Sequence, residues 1–288
     1  MQNLNHTYIQ TNGIQLHVTQ AGPENGPLVF LLHGFPEFWY GWRQQILALA
    51  NAGYRVWIPD QRGYNLSDKP KGVAAYSLNH LAADIVGLID AAGAESIYLV
   101  GHDWGAAVSW WLAVHYPERV KKLVILNVPH HSVMGSFLRR NLAQIRRSWY
   151  IFYFQIPWLP EKMVRARSWY FMERALTGSS QEGTFSQLEL ARYRAAWSEE
   201  GALTGMLNWY RALLQKRPSF PADDRVTMPT LIIWGQQDGF LAYEMAQLSQ
   251  EMCDNGRLVI IPDATHWVQH EAAEQVNELI LSFIAAED

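Results

Sequence analysis

Residues 96–108 read SIYLVGHDWGAAV, and this stretch decides the fold. Residues 97–100 form a short apolar run rich in β-forming types, and an apolar helical pattern begins at Trp104. Between them lies a Gly-x-Asp-x-Gly pattern at residues 101–105, whose spacing is typical of the strained strand-to-helix elbow that raises a nucleophile above a parallel sheet. The sequence therefore predicts a buried strand, a very tight turn and a helix.

An aspartate, Asp103, occupies the elbow position at which a serine is usual. A carboxylate is ionised at neutral pH without the help of a base, and the N-terminus of the following helix stabilises its negative charge. It attacks a saturated carbon that carries a leaving group, and the product is an alkyl ester of the protein. The alternative is that Asp103 merely caps the helix that begins at Trp104. We predict that Asp103 is a nucleophile.

Charge and hydropathy limit the classes of partner. The chain has 288 residues, with 23 Lys and Arg against 27 Asp and Glu, which gives a net charge of −4. No basic block is present, so we expect no nucleic-acid partner. No apolar run is long enough to span a membrane, and we expect no membrane partner. Both a monomer and a homodimer are compatible with the sequence.

The cysteine content bears on the compartment. The single cysteine, Cys253, excludes an internal disulfide and fits a reducing environment. The first residues have neither the basic start nor the apolar core of a signal peptide. We therefore expect a cytoplasmic protein.

Predicted strands and helices alternate along most of the chain. Such alternation indicates right-handed βαβ units and a mostly parallel central sheet flanked by helices. Residues 130–222 break the rhythm, because they contain helical patterns with many aromatic residues and no clear strand. We predict a core domain of residues 1–129 and 223–288, with an α-helical cap domain of residues 130–222 inserted after the sixth strand.

Three polar residues follow predicted strands directly, in the order Asp103, Asp238 and His266. Ligands of open α/β sheets bind beyond the carboxyl ends of the strands, and the order nucleophile, acid, histidine is that of the α/β-hydrolase fold. His266 is placed to take a proton from water, and Asp238 to orient the imidazole. Taken singly, Asp238 could equally be a turn residue with no catalytic role, and His266 could equally be a loop histidine with no catalytic role. Their joint occurrence in this order favours a catalytic set.

Two backbone N–H groups are predicted to form an oxyanion hole. One belongs to Phe35 in the His-Gly-Phe-Pro turn at residues 33–36, and the other to Trp104, which follows the nucleophile. The remaining histidines have no metal-ligand spacing with Cys, Asp or Glu, and no Gly-rich dinucleotide or phosphate loop is present. We expect neither a metal nor a cofactor.

Over nearly its whole length, the sequence resembles the epoxide hydrolases of the α/β-hydrolase superfamily. The combination of motifs makes this resemblance specific, although each motif alone is weak. The motifs are His-Gly-Phe-Pro-Glu at 33–37, Asp-x-Arg-Gly-Tyr at 60–64, Gly-His-Asp-Trp-Gly at 101–105, His-Trp at 266–267, and cap segments at 150–157 and 207–211. The chain departs from related hydrolases at Asn65 and Thr265, where glycine is frequent, and neither departure removes a functional group.

The resemblance implies roles for cap tyrosines. Tyr150 and Tyr210 would hydrogen-bond the epoxide oxygen and supply the proton as the ring opens, with Tyr153 as the alternative to Tyr150. A small apolar epoxide and water would be the substrates. The residues expected to contact the epoxide are Phe35, Trp104, Tyr150, Tyr210 and Trp267.

The implied reaction has two steps. Asp103 would attack an epoxide carbon, and water activated by the His266–Asp238 pair would then attack the ester carbonyl. The amides of Phe35 and Trp104 would hold the oxyanion, and the product would be a vicinal diol.

Two other functions compete with this interpretation. A haloalkane dehalogenase shares the aspartate nucleophile, the ester and even a tryptophan at position 104, but it would bind halide through side-chain N–H donors, and Phe35 offers none. The paired cap tyrosines favour an epoxide. A hydrolase-fold receptor that binds a ligand without turnover is the third candidate, and the intact Asp103, Asp238 and His266 set argues against it.

Overall fold

A single eight-stranded sheet forms the centre of the chain. The structure is a computed structural model, and it describes residues 4–215, 221 and 223–286. The strands are β1 (Asn5–Thr11), β2 (Ile14–Ala21), β3 (Leu28–Leu32), β4 (Arg55–Pro59), β5 (Ile97–His102), β6 (Val120–Leu126), β7 (Thr230–Gly235) and β8 (Gly256–Ile261).

The order of the strands is β1-β2-β4-β3-β5-β6-β7-β8. The β1–β2 and β2–β4 pairs are antiparallel, and all other pairs are parallel, which confirms the prediction of a mostly parallel sheet. Every residue of β3 and β7 is buried, whereas β1 at the sheet edge alternates in exposure. Burial on both faces explains why the central strands are continuous apolar runs in the sequence.

Helices cover both faces of the sheet. The core helices are α1 (Arg43–Asn51), α2 (Leu78–Ala91), α3 (Trp104–His115), α10 (Glu244–Gln250), α11 (Val268–Glu271) and α12 (Ala273–Ala285). Side chains of α1 and α12 pack in one apolar cluster, and those of α2, α3 and α10 pack in the other. Strand β3 contributes to both, since Val29 and Leu31 belong to the first cluster and Phe30 and Leu32 to the second.

Among the described residues 130–215 the chain forms six helical segments and no strand, and the longest segment is interrupted by non-helical backbone at Ala166–Trp169. The helices are α4 (His131–Arg140), α5 (Leu142–Arg147), α6 (Trp149–Tyr153), α7 (Leu159–Ser179), α8 (Gln187–Ser198) and α9 (Ala202–Gln215). The division into core and cap domains stays a prediction. Its boundary at residues 222/223, like its outer bounds at 1 and 288, touches positions outside the described residues.

Tryptophan side chains attach this helical insertion to the loops at the carboxyl ends of the strands. The indole N–H of Trp197 donates to the Pro36 carbonyl at 2.6 Å, and that of Trp209 donates to the Arg62 carbonyl at 2.9 Å. Both indoles are almost fully buried, so each hydrogen bond joins insertion and core without competition from water. The insertion therefore lies over the edge of the sheet at which ligands bind in open α/β folds.

The elbow between β5 and α3 has the predicted strand, turn and helix. Asp103 has φ 50° and ψ −123°, a conformation that L-residues adopt only where the surroundings enforce it. A Cβ at Gly105 would lie 2.0 Å from the Leu32 carbonyl oxygen, and one at Gly101 would lie 2.4 Å from Ser109 Oγ. The two glycines therefore let α3 pack directly on β3 and β5.

Replacing Gly105 with alanine should lower the free energy of unfolding by about 1–3 kcal/mol, because the new methyl group would meet backbone that cannot move aside. Gly178→Ala is the matched control, since Gly178 lies in α7 with no atom within 4 Å of an added Cβ. That change should leave stability unchanged or raise it by up to about 1 kcal/mol. Urea unfolding midpoints measure both, and equal midpoints would contradict the proposed close approach.

Candidate active site

The carboxylate of Asp103 lies at the end of a large cavity, between the loop after β3 and the imidazole of His266. The backbone N–H of Phe35 donates to its Oδ1 at 2.6 Å, and His266 Nε2 lies 3.5 Å from its Oδ2. A Cβ at Gly34 would lie 2.3 Å from Asp103 Oδ1, so only glycine lets this loop approach the carboxylate.

His266 and Asp238 are in direct contact. His266 Nδ1 donates to Asp238 Oδ2 at 2.7 Å, and both side chains are buried. The N–H groups of Phe240 and Leu241 donate to Asp238 Oδ1 at 2.7 and 2.9 Å. The carboxylate of Asp238 is therefore fixed, and with it the ring of His266.

Asn127 is part of this site, and the sequence analysis missed it. It follows β6 directly with φ 55°, its Nδ2 donates to Asp238 Oδ2 at 2.8 Å, and its Oδ1 accepts from the Gly235 N–H at 3.0 Å. The signal that would have found it is the one that found Asp103 and Asp238, since it too is a polar residue directly after a parallel strand.

Opposite charges dominate the electrostatics of the site. Burial by itself would raise the pKa of Asp103, but the hydrogen bond and the charge of His266 lower it below its ordinary value. Burial would likewise lower the pKa of His266, but Asp238 and then Asp103 raise it to about 10. At neutral pH the arrangement is therefore an imidazolium held between two carboxylates.

Tyr150 on α6 and Tyr210 on α9 line the same cavity. Their rings lie edge to face with centroids 5.9 Å apart. Burial is the largest cause of a raised pKa in each, and the charge of Asp103 is the second. Both tyrosines therefore stay protonated at neutral pH. Tyr153 also lines the cavity, but the charge that raises its pKa is that of Glu161.

The cavity has a volume of about 810 Å³ and a mostly aromatic and aliphatic wall. It is lined by Phe35, Pro36, Asp103, Arg146, Arg147, Trp149, Tyr150, Tyr153, Phe154, Met163, Val164, Phe171, Met172, Ala175, Tyr210, Gly239, Phe240, His266 and Trp267. Trp104 is not in this lining. Its ring packs edge-on against Tyr210, with centroids 5.0 Å apart, so contact between the Trp104 side chain and substrate stays a prediction.

The two predicted oxyanion donors are placed differently. The Phe35 N–H already donates to Asp103 Oδ1. Trp104 is the first residue of α3, where a backbone N–H has no partner within the helix. The Phe35 N–H therefore lies at the Asp103 carboxylate, and the part of the Trp104 N–H in an oxyanion hole stays a prediction.

A buried polar network lies behind His266, and the sequence analysis did not identify it. Glu37 accepts hydrogen bonds from His270 Nε2 at 2.7 Å, Tyr193 Oη at 2.6 Å and Gln269 Nε2 at 3.0 Å. Burial would raise the pKa of Glu37, but the adjoining imidazoles hold it well below its usual range. His102 Nε2 donates to the backbone carbonyl of His266 at 2.8 Å, so this network fixes the loop that carries His266.

Within the part of the chain that the structure describes, no group of three or more His, Cys, Asp or Glu side chains could hold a metal ion.

Comparison with known proteins agrees with the fold. Residues 27–273 match the α/β hydrolase fold family. The chain is 46% identical to "AB hydrolase superfamily protein YfhM" of Bacillus subtilis, over 96% of each chain. It is 38% identical to "Epoxide hydrolase 4" of Homo sapiens, over 98% of this chain and 79% of that protein. A variant of an epoxide hydrolase from Bacillus megaterium superposes with a TM-score of 0.89 at 32% identity, over 97% of this chain and 100% of the other.

The chain therefore belongs to the α/β hydrolase fold family, and within it to the epoxide hydrolases.

The raised pKa of His266 predicts a pH-dependent contribution to stability. A histidine whose folded pKa exceeds its ordinary value of 6.5 stabilises the fold fully below pH 6.5, and this contribution is lost as the pH rises to about 10. The difference in free energy of unfolding between the wild type and His266→Gln should therefore be largest below pH 6.5 and shrink across that window. Denaturant titrations at a series of pH values measure it, and a pH-independent difference would contradict an imidazolium between the carboxylates.

Proposed function

We propose that this protein hydrolyses an epoxide to a vicinal diol through a covalent ester on Asp103. The observation that carries the proposal is a carboxylate held in a strained turn at the end of an apolar cavity that Tyr150 and Tyr210 also line. A carboxylate displaces a leaving group at saturated carbon, and a tyrosine hydroxyl protonates the oxygen released. Relatives that carry the name epoxide hydrolase support the substrate class.

In the first step, Asp103 attacks one epoxide carbon. The Phe35 N–H holds Oδ1, so Oδ2 is the oxygen that forms the new C–O bond. The ring C–O bond breaks, and its electron pair stays on the epoxide oxygen. That oxygen takes a proton from Tyr150 or Tyr210, which remain protonated until then because burial and the Asp103 charge raise the pKa of both.

Tyr150 is a better candidate than Tyr153 for the second proton donor. The charges of Asp103 and Asp238 act on Tyr150, whereas the charged neighbour of Tyr153 is Glu161. The ring of Tyr150 also packs against Tyr210 and Phe240, both of which line the cavity. These contacts support Tyr150 as the second proton donor.

Ester formation prepares His266 for the second step. It removes the negative charge of Asp103, one of the two carboxylates that raise the pKa of His266. The imidazolium then gives its proton to the tyrosinate, which restores the phenol and leaves a neutral imidazole held by Asp238.

The neutral His266 takes a proton from water, and the hydroxide adds to the ester carbonyl carbon. The oxyanion forms on Oδ1, where the N–H of Phe35 already points and the N–H of Trp104 is free of helical partners. Collapse expels the diol oxygen with a proton from the imidazolium or the new carboxyl group. The Asp103 carboxylate and the His266 imidazolium are restored.

Several of the expected roles fit this scheme. Phe35, Tyr150, Tyr210 and Trp267 line the cavity and are proposed to contact substrate. Trp104 packs on Tyr210 and is proposed to act next to it. We further propose that the segment 130–222 functions as a cap that supplies the tyrosines.

The substrate and compartment are proposed as well. The aromatic wall favours a small apolar epoxide, with water as co-substrate. The single cysteine, Cys253, is buried as a free thiol, which is compatible with the reducing cytoplasm.

The test of this scheme is His266→Gln, which separates the two steps. Attack by Asp103 needs no base, so the variant should gain the mass of one epoxide molecule per chain while forming little diol. Intact-mass spectrometry followed by proteolysis should place the added mass on the peptide containing Asp103. Asp103→Ala is the control and should gain no mass and lose at least about 10³-fold in turnover. An inactive His266→Gln protein that stays unmodified would contradict the scheme.

The tyrosines distinguish an epoxide from a haloalkane as the substrate. Tyr150→Phe and Tyr210→Phe should each slow diol formation by about tenfold, and the double variant by at least about 100-fold, since each removes only a hydroxyl that donates a proton. Tyr153→Phe is the matched control and should have a small effect. Stopped assays with styrene oxide and with a bromoalkane measure these rates. A double variant with unchanged epoxide kinetics, or a wild type that turns over only the bromoalkane, would overturn the assignment.

A further inference from the structure

Exposed apolar side chains are concentrated in one part of the insertion. Of the sixteen large hydrophobic side chains that are exposed among the described residues, nine lie between residues 142 and 171. They are Leu142, Ile145, Trp149, Phe152, Ile156, Trp158, Met163, Tyr170 and Phe171. Trp149 is 63% exposed and Trp158 68% exposed. Apolar side chains at this density on a surface mark an interaction site rather than a water-facing wall.

The same segment is strongly basic. Residues 139–174 contain eight Lys or Arg residues against two Glu, a net charge of +6 in a chain whose net charge is −4. Both glutamates already form ion pairs with arginines, Glu161 with Arg211 and Glu173 with Arg194. All eight basic residues are exposed: Arg139, Arg140, Arg146, Arg147, Lys162, Arg165, Arg167 and Arg174. Across residues 4–215, 221 and 223–286, none of the eight has an ion-pair partner.

The cavity opens through this segment. Arg146, Arg147, Trp149, Met163 and Phe171 are exposed and also line the cavity that leads to Asp103. We call the exposed side chains of residues 139–174 the rim surface. An apolar molecule reaching Asp103 by this route passes between its aromatic and cationic side chains.

We propose that the rim surface docks onto the surface of a bilayer that contains anionic lipid, so that an apolar epoxide enters the cavity from the lipid phase. Tryptophan and phenylalanine side chains insert at the level of the lipid headgroups, and arginine and lysine bind the lipid phosphates. Each basic residue near an anionic bilayer contributes attraction, and the long side chains extend to the headgroups while their stems contact apolar groups. The delivery of substrate rests on the proposed epoxide hydrolysis, but the docking does not.

Peripheral docking needs no spanning segment. In the part of the chain that the structure describes, no helix is long and apolar enough to cross a membrane. The sequence-based expectation of no membrane partner rested on that feature alone, and the rim surface departs from it. Self-association fits the rim surface less well, because a two-fold dimer would bring two surfaces of charge +6 face to face.

The experiment measures binding of the full chain to vesicles, with no epoxide present. Vesicles of equal parts phosphatidylglycerol and phosphatidylcholine are compared with vesicles of phosphatidylcholine by sedimentation. The Lys162→Glu/Arg165→Glu variant reverses two charges of the rim surface without touching the cavity lining. Its matched control, Lys71→Glu/Arg257→Glu, makes the same change of net charge at exposed residues outside the rim surface.

The wild type and the control should bind the anionic vesicles with similar partition coefficients, and high salt should weaken both. The rim variant should bind at least about tenfold more weakly. Phe152→Ser, at a side chain 58% exposed, should also weaken binding, whereas Leu188→Ser, 70% exposed on α8, should not. Turnover of a small water-soluble epoxide without vesicles should be the same in all of these variants.

Wild-type protein that leaves anionic vesicles unbound, or a rim variant that binds as tightly as the wild type, would overturn the proposal. So would a dimer in analytical ultracentrifugation that Phe152→Ser dissociates, because the rim surface would then be a subunit interface. Because binding is measured without substrate, a negative result leaves the proposed hydrolysis intact. If the wild type does not hydrolyse epoxides, the vesicle-binding result is likewise unaffected.

Discussion

The left-handed backbone at Asp103 is the constraint on which the rest of the site depends. A φ of 50° turns the chain from β5 into α3 within one residue and directs the carboxylate towards the ends of the strands. This turn is possible because Gly105 lies against the backbone of β3 and Gly34 lets the neighbouring loop approach the carboxylate. Strain at this one residue is therefore balanced by the packing of α3 on β3 and β5.

The protonation state of each charged group in the site depends on the charge of its neighbour. Asp103 stays ionised because His266 is positive, and His266 stays positive because it faces Asp103 and Asp238. Asp238 in turn is held by two backbone N–H groups and by Asn127. An arrangement of this kind changes its protonation when one charge is removed, and alkylation of Asp103 is the proposed event that removes it. In the proposed mechanism, the site acquires a base only at the stage at which water has to be activated.

One stretch of the helical insertion faces both the cavity and the solvent. Its inner side contributes Tyr150 to the cavity, and its outer side exposes tryptophans and arginines to solvent. The apolar wall inside and the apolar rim outside are continuous through Trp149, Met163 and Phe171. A path of this composition suits a substrate that prefers lipid to water.

Features that depend on spacing along the chain could be predicted from the sequence. The elbow at residues 101–105, the mostly parallel sheet and the polar residues at strand ends all follow from local periodicity and from glycine positions. The tertiary structure alone decided which distant side chains meet. Asn127 joins Asp238 across 111 positions of sequence, and Glu37 joins His270 across 233. Such pairings depend on the order of strands in the sheet, which no local pattern encodes. The same holds for the charges that act on the two cap tyrosines, Asp103 on Tyr150 and Glu161 on Tyr153. It also holds for the place where the cavity opens, because both features are set by how the insertion packs on the core.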